Sequence, residues 1–252
     1  MDLGIAEKRV LVTGASQGLG REIAMQFARE RCSVTVVARR ADKLQELAAD
    51  IGGEESKFVS YVSDLMVDGA PTKTIKELVE RDGSFDIVVH NIGGTLNVKD
   101  PLSSVEEWCR VWRFNVGIAI EINAVVIPYM LEQQWGRVIH ISSISAESVR
   151  GSAPYAAAKA YTNAYVKGLG RAIAPNGIVV SAIMPGAFIA EGGHWDNVRK
   201  NNPEIESDFL RHHHAVGRLG TPDEIAPFVL FMASQHVTFA QAATIPVDGG
   251  TM

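Results

Sequence analysis

The chain has 252 residues, with 24 Lys and Arg against 29 Asp and Glu, a formal net charge of -5. That balance excludes the clustered cationic surface of a nucleic-acid-binding protein, and 46% hydrophobic with 21% charged residues excludes a disordered chain. The length is enough for one large domain around a buried core.

No basic amphipathic helix suited to a membrane surface is expected, and no stretch reaches the apolar length needed to cross a bilayer. Met1–Lys8 is short and charged, without the apolar core of a signal peptide. Cys32 and Cys109 are isolated, so neither a disulfide framework nor a thiolate metal site is expected. A reduced, cytoplasmic protein is the expectation.

Strand-like runs at Val10–Thr13, Val34–Ala38, Phe58–Val62, Ile87–His90, Arg137–Ser142, Val179–Ile183 and Thr244–Val247 alternate with helical patterns near 19–31, 41–50, 70–81, 104–133, 154–174 and 222–234. Most of the strands are continuously apolar, as parallel strands covered on both faces are. The alternation predicts one α/β domain over 1–252, a doubly wound seven-stranded parallel sheet with helices on both faces.

The first strand runs into Thr13-Gly14-Ala15-Ser16-Gln17-Gly18-Leu19-Gly20. Gly14 permits a sharp turn, Gly18 lets backbone approach a pyrophosphate, and Gly20 allows close helix–sheet contact. The helix that starts there presents unpaired N–H groups and a positive dipole end to phosphates. Its place between a first strand and a helix points to dinucleotide binding. The second strand ends Val37-Ala38-Arg39-Arg40, with no carboxylate to accept from a ribose 2′-hydroxyl. Two guanidinium groups suit a 2′-phosphate, so NADP(H) is favoured over NAD(H), with Arg39 the leading contact and Arg40 beside it.

Further along, Asn115 falls inside the long helix 104–133, a poor place for Asn unless it makes a specific hydrogen bond. Trp108, Trp112 and Phe114 on the same helix read as packing, at a subunit contact among other places. His140 reads as a hydrogen-bonded interior residue. The fifth strand ends at Ser142 and Ser143, either of which places a hydroxyl where a substrate oxygen is held. Tyr155 and Lys159 stand four apart on one helical face, where an ammonium favours the phenolate and lowers its pKa. Such a phenol can give a proton to a carbonyl oxygen, or take it back.

From Ala187 to Leu219 the chain turns polar, the pattern of a substrate lid or of an ordinary surface helix pair. Arg199, Lys200 and Arg211 there suggest an anionic or strongly polar substrate. Three consecutive imidazoles, His212–His214, point in different directions on a helix and do not make one tetrahedral metal site, so no metal is expected.

Together these residues resemble the classical short-chain dehydrogenase/reductase family over almost the whole chain. Thr13–Gly20 is similar to its cofactor turn, Asp64-Leu65 to its adenine-contacting pair, and His90-Asn91-Ile92-Gly93 to its Asn-Asn-Ala-Gly stretch. Asn115 falls at its catalytic-helix asparagine, and Tyr155 with Lys159 at its Tyr-x-x-x-Lys signature. Pro185-Gly186 follows the sixth strand, and Val247-Asp248-Gly249-Gly250 closes the last.

The resemblance implies a Rossmann fold and a reversible ketone–alcohol oxidoreductase, 3-oxoacyl reductase-like. Tyr155 is then the general acid/base, Lys159 binds the nicotinamide ribose, and Asn115 supports a proton relay. A serine orients the substrate carbonyl: strand register selects Ser143, the commoner spacing to Tyr155 selects Ser142, and Ser143 is preferred. The cofactor set is Gly14, Ser16, Gln17, Gly18, Leu19, Gly20, Arg39, Arg40, Asp64, Leu65, Asn91, Gly93, Tyr155, Lys159, Pro185, Gly186 and Ile189, with Ser143 and Tyr155 facing substrate. Departures are His90 and Ile92 in the Asn-Asn-Ala-Gly stretch, Ser181 where Asn is frequent, and no Thr after Pro185-Gly186. The Ile189 backbone is left to serve the carboxamide.

Relatives assemble as dimers or tetramers, so a homodimer or homotetramer is implied. A 3-oxoacyl thioester and a polar keto compound are both open as substrates. The alternative is a catalytically silent dinucleotide-binding regulatory protein of the same fold.

Overall fold

The computed structural model describes residues 1–52, 57–148 and 151–251. Seven strands, β1 (Arg9–Thr13), β2 (Ser33–Ala38), β3 (Phe58–Val62), β4 (Ile87–His90), β5 (Gly136–Ile141), β6 (Ile178–Pro185) and β7 (Thr244–Val247), form one sheet in the order β3-β2-β1-β4-β5-β6-β7. Every pairing is parallel. All seven strands therefore end at one edge of the sheet. The order reverses direction between β1 and β4, where a crevice opens for a ligand.

Residue alternation along each strand feeds two cores. Val10 and Val12 of β1 point to one face, under α1 (Gly18–Arg29), α2 (Ala41–Ile51) and α9 (Pro222–Ala233). Leu11 points to the other, with Val88, Val138 and Val180, under α3 (Ala70–Asp82), α5 (Ile118–Gln133) and α6 (Ala153–Ile173). Helix α1 turns Leu19, Ile23, Ala24 and Phe27 inward at helical spacing. Burial of a side chain such as Phe27 is worth about 1.5–3 kcal/mol.

Helix ends are set locally. Ser104 and Glu107 form a reciprocal capping box at the start of α4 (Val105–Trp112), and Thr221 with Glu224 does the same for α9. Ser152 caps α6 by accepting the Tyr155 N–H.

Two expectations change here. Helix α4 runs into α5 through a single π-turn, Arg113–Gly117, giving one continuous helix from Val105 to Gln133. It is long and apolar enough to span a bilayer by length and composition, contrary to the reading that no stretch is; over half of its apolar window is buried against the rest of the fold. His140, expected to be hydrogen-bonded, is buried with its Nε2 unpaired. It stacks on His90, its register partner on β4, with ring centroids 4.5 Å apart. Burial lowers the pKa of His90 to about 4 and that of His140 well below the usual value, so both are neutral.

Segment 187–219 contains α7 (His194–Asn201) and α8 (Pro203–His213). Its three consecutive histidines, His212–His214, enter three different surroundings. His212 bonds Asp208, His213 faces Phe209, and His214 is buried beside Gly249 with both ring nitrogens unpaired.

Candidate active site

The glycine-rich turn crosses the C-terminal ends of β1 and β4. The Gly14 N–H donates to the Val37 carbonyl at 2.8 Å, and Gly14 and Gly18 take φ of +68° and +58°, where a side chain is strained. Gly20 is required for a different reason. A Cβ there would lie 2.3 Å from Asn91 Nδ2 and 2.6 Å from the Gly14 oxygen. Asn91 fills that contact: its Nδ2 donates to the Gly14 carbonyl (3.0 Å), and its N–H donates to Thr13 Oγ1 (3.2 Å). The Asn91 side chain thus braces the turn from behind.

Helix α1 begins without a side-chain cap, because Gln17 makes no such bond. Its first N–H groups and positive dipole end are left for an anion, and the missing side chain of Gly18 lets that anion approach the backbone under Ala190. At the tip of β2 both arginines are exposed. Arg40 turns onto the glycine turn, donating to Gln17 Oε1 (2.6 Å) and Ser16 Oγ (3.3 Å). Arg39 makes no hydrogen bond or ion pair among the described residues. Asp64 is exposed, holding the Met66 N–H, while Leu65 is buried in the core. An uncapped helix start, a glycine with positive φ beside it and a guanidinium without a partner among the described residues fit a phosphorylated dinucleotide.

The second half of the site is built on β5, α6 and the π-turn. Strand β5 ends at Ile141, and the two serines that follow diverge. Ser142 is buried and donates to the Lys159 carbonyl (3.3 Å). Ser143 accepts the Ser145 N–H (3.1 Å), and its side chain lies on the Tyr155 side, where it works against the upward shift of the phenol's pKa. The geometry therefore brings Ser143 to Tyr155 and not Ser142.

Helix α6 carries Tyr155 half-buried and Lys159 almost wholly buried. Lys159 Nζ donates to the Ile141 carbonyl (2.7 Å) and sits 5.5 Å from the centre of the Tyr155 ring. Burial lowers its pKa to about 8. The expectation that this ammonium pulls the phenol down is reversed in this structure. Burial pushes the Tyr155 pKa up, and only Ser143 works against it.

Asn115 lies in the π-turn, a feature that propensity hints at but does not locate. Its Nδ2 donates to the Gly94 (2.9 Å) and Val111 (2.8 Å) carbonyls, and its Oδ1 accepts the Gly94 N–H (3.0 Å). It ties the long helix to the loop after β4. Gly93 is pinched between: a Cβ there would lie 2.6 Å from Asn115 Oδ1 and 2.9 Å from Lys159 Nζ. Asn115, Lys159 and Gly93 therefore meet at one point.

Pro185 ends β6, and the Gly186 N–H donates to the Val247 carbonyl at 3.0 Å. Of the Ile189 backbone, expected to serve a carboxamide, the N–H donates to the Gly220 carbonyl at 2.9 Å, which leaves its own carbonyl for that role. The start of segment 187–219 lies over the glycine turn: a Cβ on Gly18 would come 3.5 Å from Ala190 Cβ, and one on Gly192 would come 3.7 Å from Gln17 Oε1.

Of the three cations expected to face an anionic substrate, Arg199, Lys200 and Arg211, the first two are spent inside this segment. Arg199 forms a forked pair with Glu206 (2.6 and 2.9 Å), and Lys200 pairs with Asp196 (2.7 Å). Sequence reasoning missed both pairs: the partner of Arg199 lies on the next helix, whereas Asp196 stands four residues before Lys200, a helical spacing that could have shown it. It also missed Ser152, whose signal was its position as a cap three residues before Tyr155.

Residues 8–199 match the family model for short chain dehydrogenases. The chain is 30% identical over 249 residues to the 3-oxoacyl-(acyl-carrier-protein) reductase of Pseudomonas aeruginosa, covering 98% of each. The solved L-sorbose reductase of Gluconobacter frateurii, complexed with NADPH and L-sorbose, superposes with a TM-score of 0.92 at 26% identity, over 100% of this chain and 99% of that one. A 7α-hydroxysteroid dehydrogenase complexed with NADH and a 7-oxo bile acid gives 0.91 at 27%, over 100% and 96%. The chain belongs to the short-chain dehydrogenase/reductase family of oxidoreductases.

Proposed function

We propose that the protein is an NADP(H)-dependent ketoreductase that interconverts a ketone and a secondary alcohol, with Tyr155 as general acid/base. One juxtaposition carries the reading: the Lys159 ammonium lies 5.5 Å from the centre of the Tyr155 ring, with Ser143 following β5 on the side of the phenol. When bound, the cofactor supplies or accepts the hydride at the carbonyl carbon.

The protein's own residues handle the oxygen. Ser143 and Tyr155 both present hydroxyls to it, and a phenol held protonated by burial is the form that donates in the reducing direction. Lys159, charged below pH 8, offsets the negative charge that develops on Tyr155 Oη as its proton leaves. Asn115 holds the Gly93–Gly94 corner beside that ammonium. Gly14, Ser16, Gln17, Gly18, Leu19 and Gly20 hold the pyrophosphate against α1. Asp64, Leu65 and Asn91 flank the adenosine, Pro185, Gly186 and the Ile189 carbonyl flank the nicotinamide, and Arg39 with Arg40 receives the 2′-phosphate. The sorbose reductase and its bound NADPH support that preference by likeness.

Segment 187–219 serves as the substrate lid, supported by Ala190 and Gly192 lying over the glycine turn. With Arg199 and Lys200 paired internally, the lid favours a neutral ketone or a thioester over a small anion. A homodimer or homotetramer is the proposed assembly. Exposed Val105, Trp112 and Tyr161 on α4 and α6, and Phe228 and Phe231 on α9, supply apolar faces for it. Sedimentation of the purified protein tests the assembly. A reduced, cytoplasmic setting suits the free Cys32 and Cys109.

The experiment is Tyr155→Phe, assayed by NADPH oxidation against a ketone panel. Turnover is expected to vanish while NADPH still quenches or shifts protein fluorescence as in the wild type. Wild-type turnover in that variant would sink the assignment.

A further inference from the structure

The loop after β4 contains two consecutive non-glycine residues in the left-handed region, Leu96 (φ +50°) and Asn97 (φ +61°). Asparagine tolerates that conformation; leucine rarely adopts it. Such strain persists only where the surroundings enforce it, and it gathers where a side chain must be aimed.

The loop is fastened at both ends. Asn115 holds Gly94 through its N–H and its carbonyl. At the far end, Ser152 Oγ donates to the Val98 carbonyl (2.5 Å), and the Ala153 N–H donates to the Lys99 carbonyl (3.4 Å). Between these ties, the Val98 N–H returns to the Thr95 carbonyl (2.9 Å), closing a tight turn around Leu96 and Asn97. The Ser152 hydroxyl that holds Val98 also accepts the Tyr155 N–H (3.2 Å). The strap and the first turn of α6 thus share one bolt.

Leu96 is half-buried and packs on a small apolar cluster of Val98, Val111, Val116 and Ala158. Tyr155 packs on the same cluster. The strap therefore holds a branched apolar side chain against the same buried cluster that Tyr155 packs on.

We propose that Leu96 is a specificity-determining residue, an apolar wall beside Tyr155 that limits the size of the arm carried by the substrate carbonyl. It rests on the ketoreductase reading. The substrates it admits are ketones with a short apolar arm on this side, and a bulkier arm meets the leucine. Asn97, exposed on the same turn, holds the conformation without touching substrate.

The test compares kcat/KM for ethyl acetoacetate and ethyl benzoylacetate, with NADPH, in wild type, Leu96→Ala and Asn97→Gly. Leu96→Ala removes three carbons from the wall and is expected to shift the ratio toward the phenyl ketone about ten-fold or more, carried mainly by KM. Asn97→Gly relieves the neighbouring backbone while keeping the leucine. It is expected to hold the ratio within about two-fold and the melting temperature at or above wild type.

A ratio in Leu96→Ala within about two-fold of wild type overturns the proposal, as does Asn97→Gly moving it equally far. A fold defect in Leu96→Ala is read from its melting temperature with and without NADPH, and would lower both activities without a new preference. Wild type that reduces neither ketone, nor any other in a panel, marks instead the failure of the underlying reading.

Discussion

Lys159→Met is the most informative perturbation, because the structure predicts that it stabilises the protein while disabling it. Methionine keeps the length and apolar body of the lysine, and the site is buried. Burial brings the Lys159 pKa from 10.5 down to about 8. At about 1.4 kcal/mol per pH unit, holding that ammonium in the folded state costs about 3 kcal/mol at neutral pH. The substitution also removes the bond from Nζ to the Ile141 carbonyl, a charge-assisted bond worth about 1.5–3 kcal/mol. The balance is a gain of up to about 1.5 kcal/mol, or about 3–6 °C in a chain of this size.

The sign of the pH dependence separates this origin from ordinary packing. Between pH 8 and 10.4 the unfolded chain keeps the lysine proton and the folded chain has lost it, so wild-type stability gains from that group as pH rises. The advantage of Lys159→Met should therefore be largest near pH 7 and shrink toward pH 10. Thermal unfolding of both proteins without cofactor, at pH 7, 8.5 and 10, measures it. A variant less stable than wild type at pH 7, or a gap that does not change with pH, refutes the reasoning. Activity should fall in the same variant, since the ammonium no longer offsets charge on Tyr155 Oη.

Asn115→Ala deletes three hydrogen bonds in a buried setting, each worth about 1 kcal/mol, and should lower the melting temperature by about 6–12 °C. A drop under about 2 °C would mean that the tie to Gly94 carries no load. Gly20→Ala drives a methyl group into Asn91 and the Gly14 carbonyl, so it should cost about 1–3 kcal/mol of stability and weaken NADPH binding in a fluorescence titration. Arg39→Glu places a carboxylate at the β2 tip and should raise the KM for NADPH about ten-fold or more relative to that for NADH. Equal cofactor constants before and after the change would remove Arg39 from the 2′-phosphate site.

The sequence alone determined the sheet and the cofactor turn. Parallel strands leave short, continuously apolar runs at regular intervals along the chain, and all seven runs appear in the fold within a residue or two. Gly14 and Gly18 were legible because their constraint is local, a positive φ; Gly20 was legible by its spacing, although what excludes a side chain there is Asn91 from the loop after β4. Tyr155 and Lys159 share a helical face by spacing alone.

What spacing does not carry is the surroundings, and these decided the chemistry. The direction of the Tyr155 pKa depends on how much water the fold removes, and burial raises it. Ser142 and Ser143 are equivalent as letters; only the approach of α6 turns one to the Lys159 backbone and the other to the Tyr155 phenol. The cations Arg199 and Lys200 look available along the chain and are neutralised by the helix pair that holds them. The π-turn at Asn115 and the strained Leu96 came from ties between segments far apart in sequence. Backbone preference and periodicity act over a few residues, whereas desolvation, pairing and strain are imposed by the packed whole.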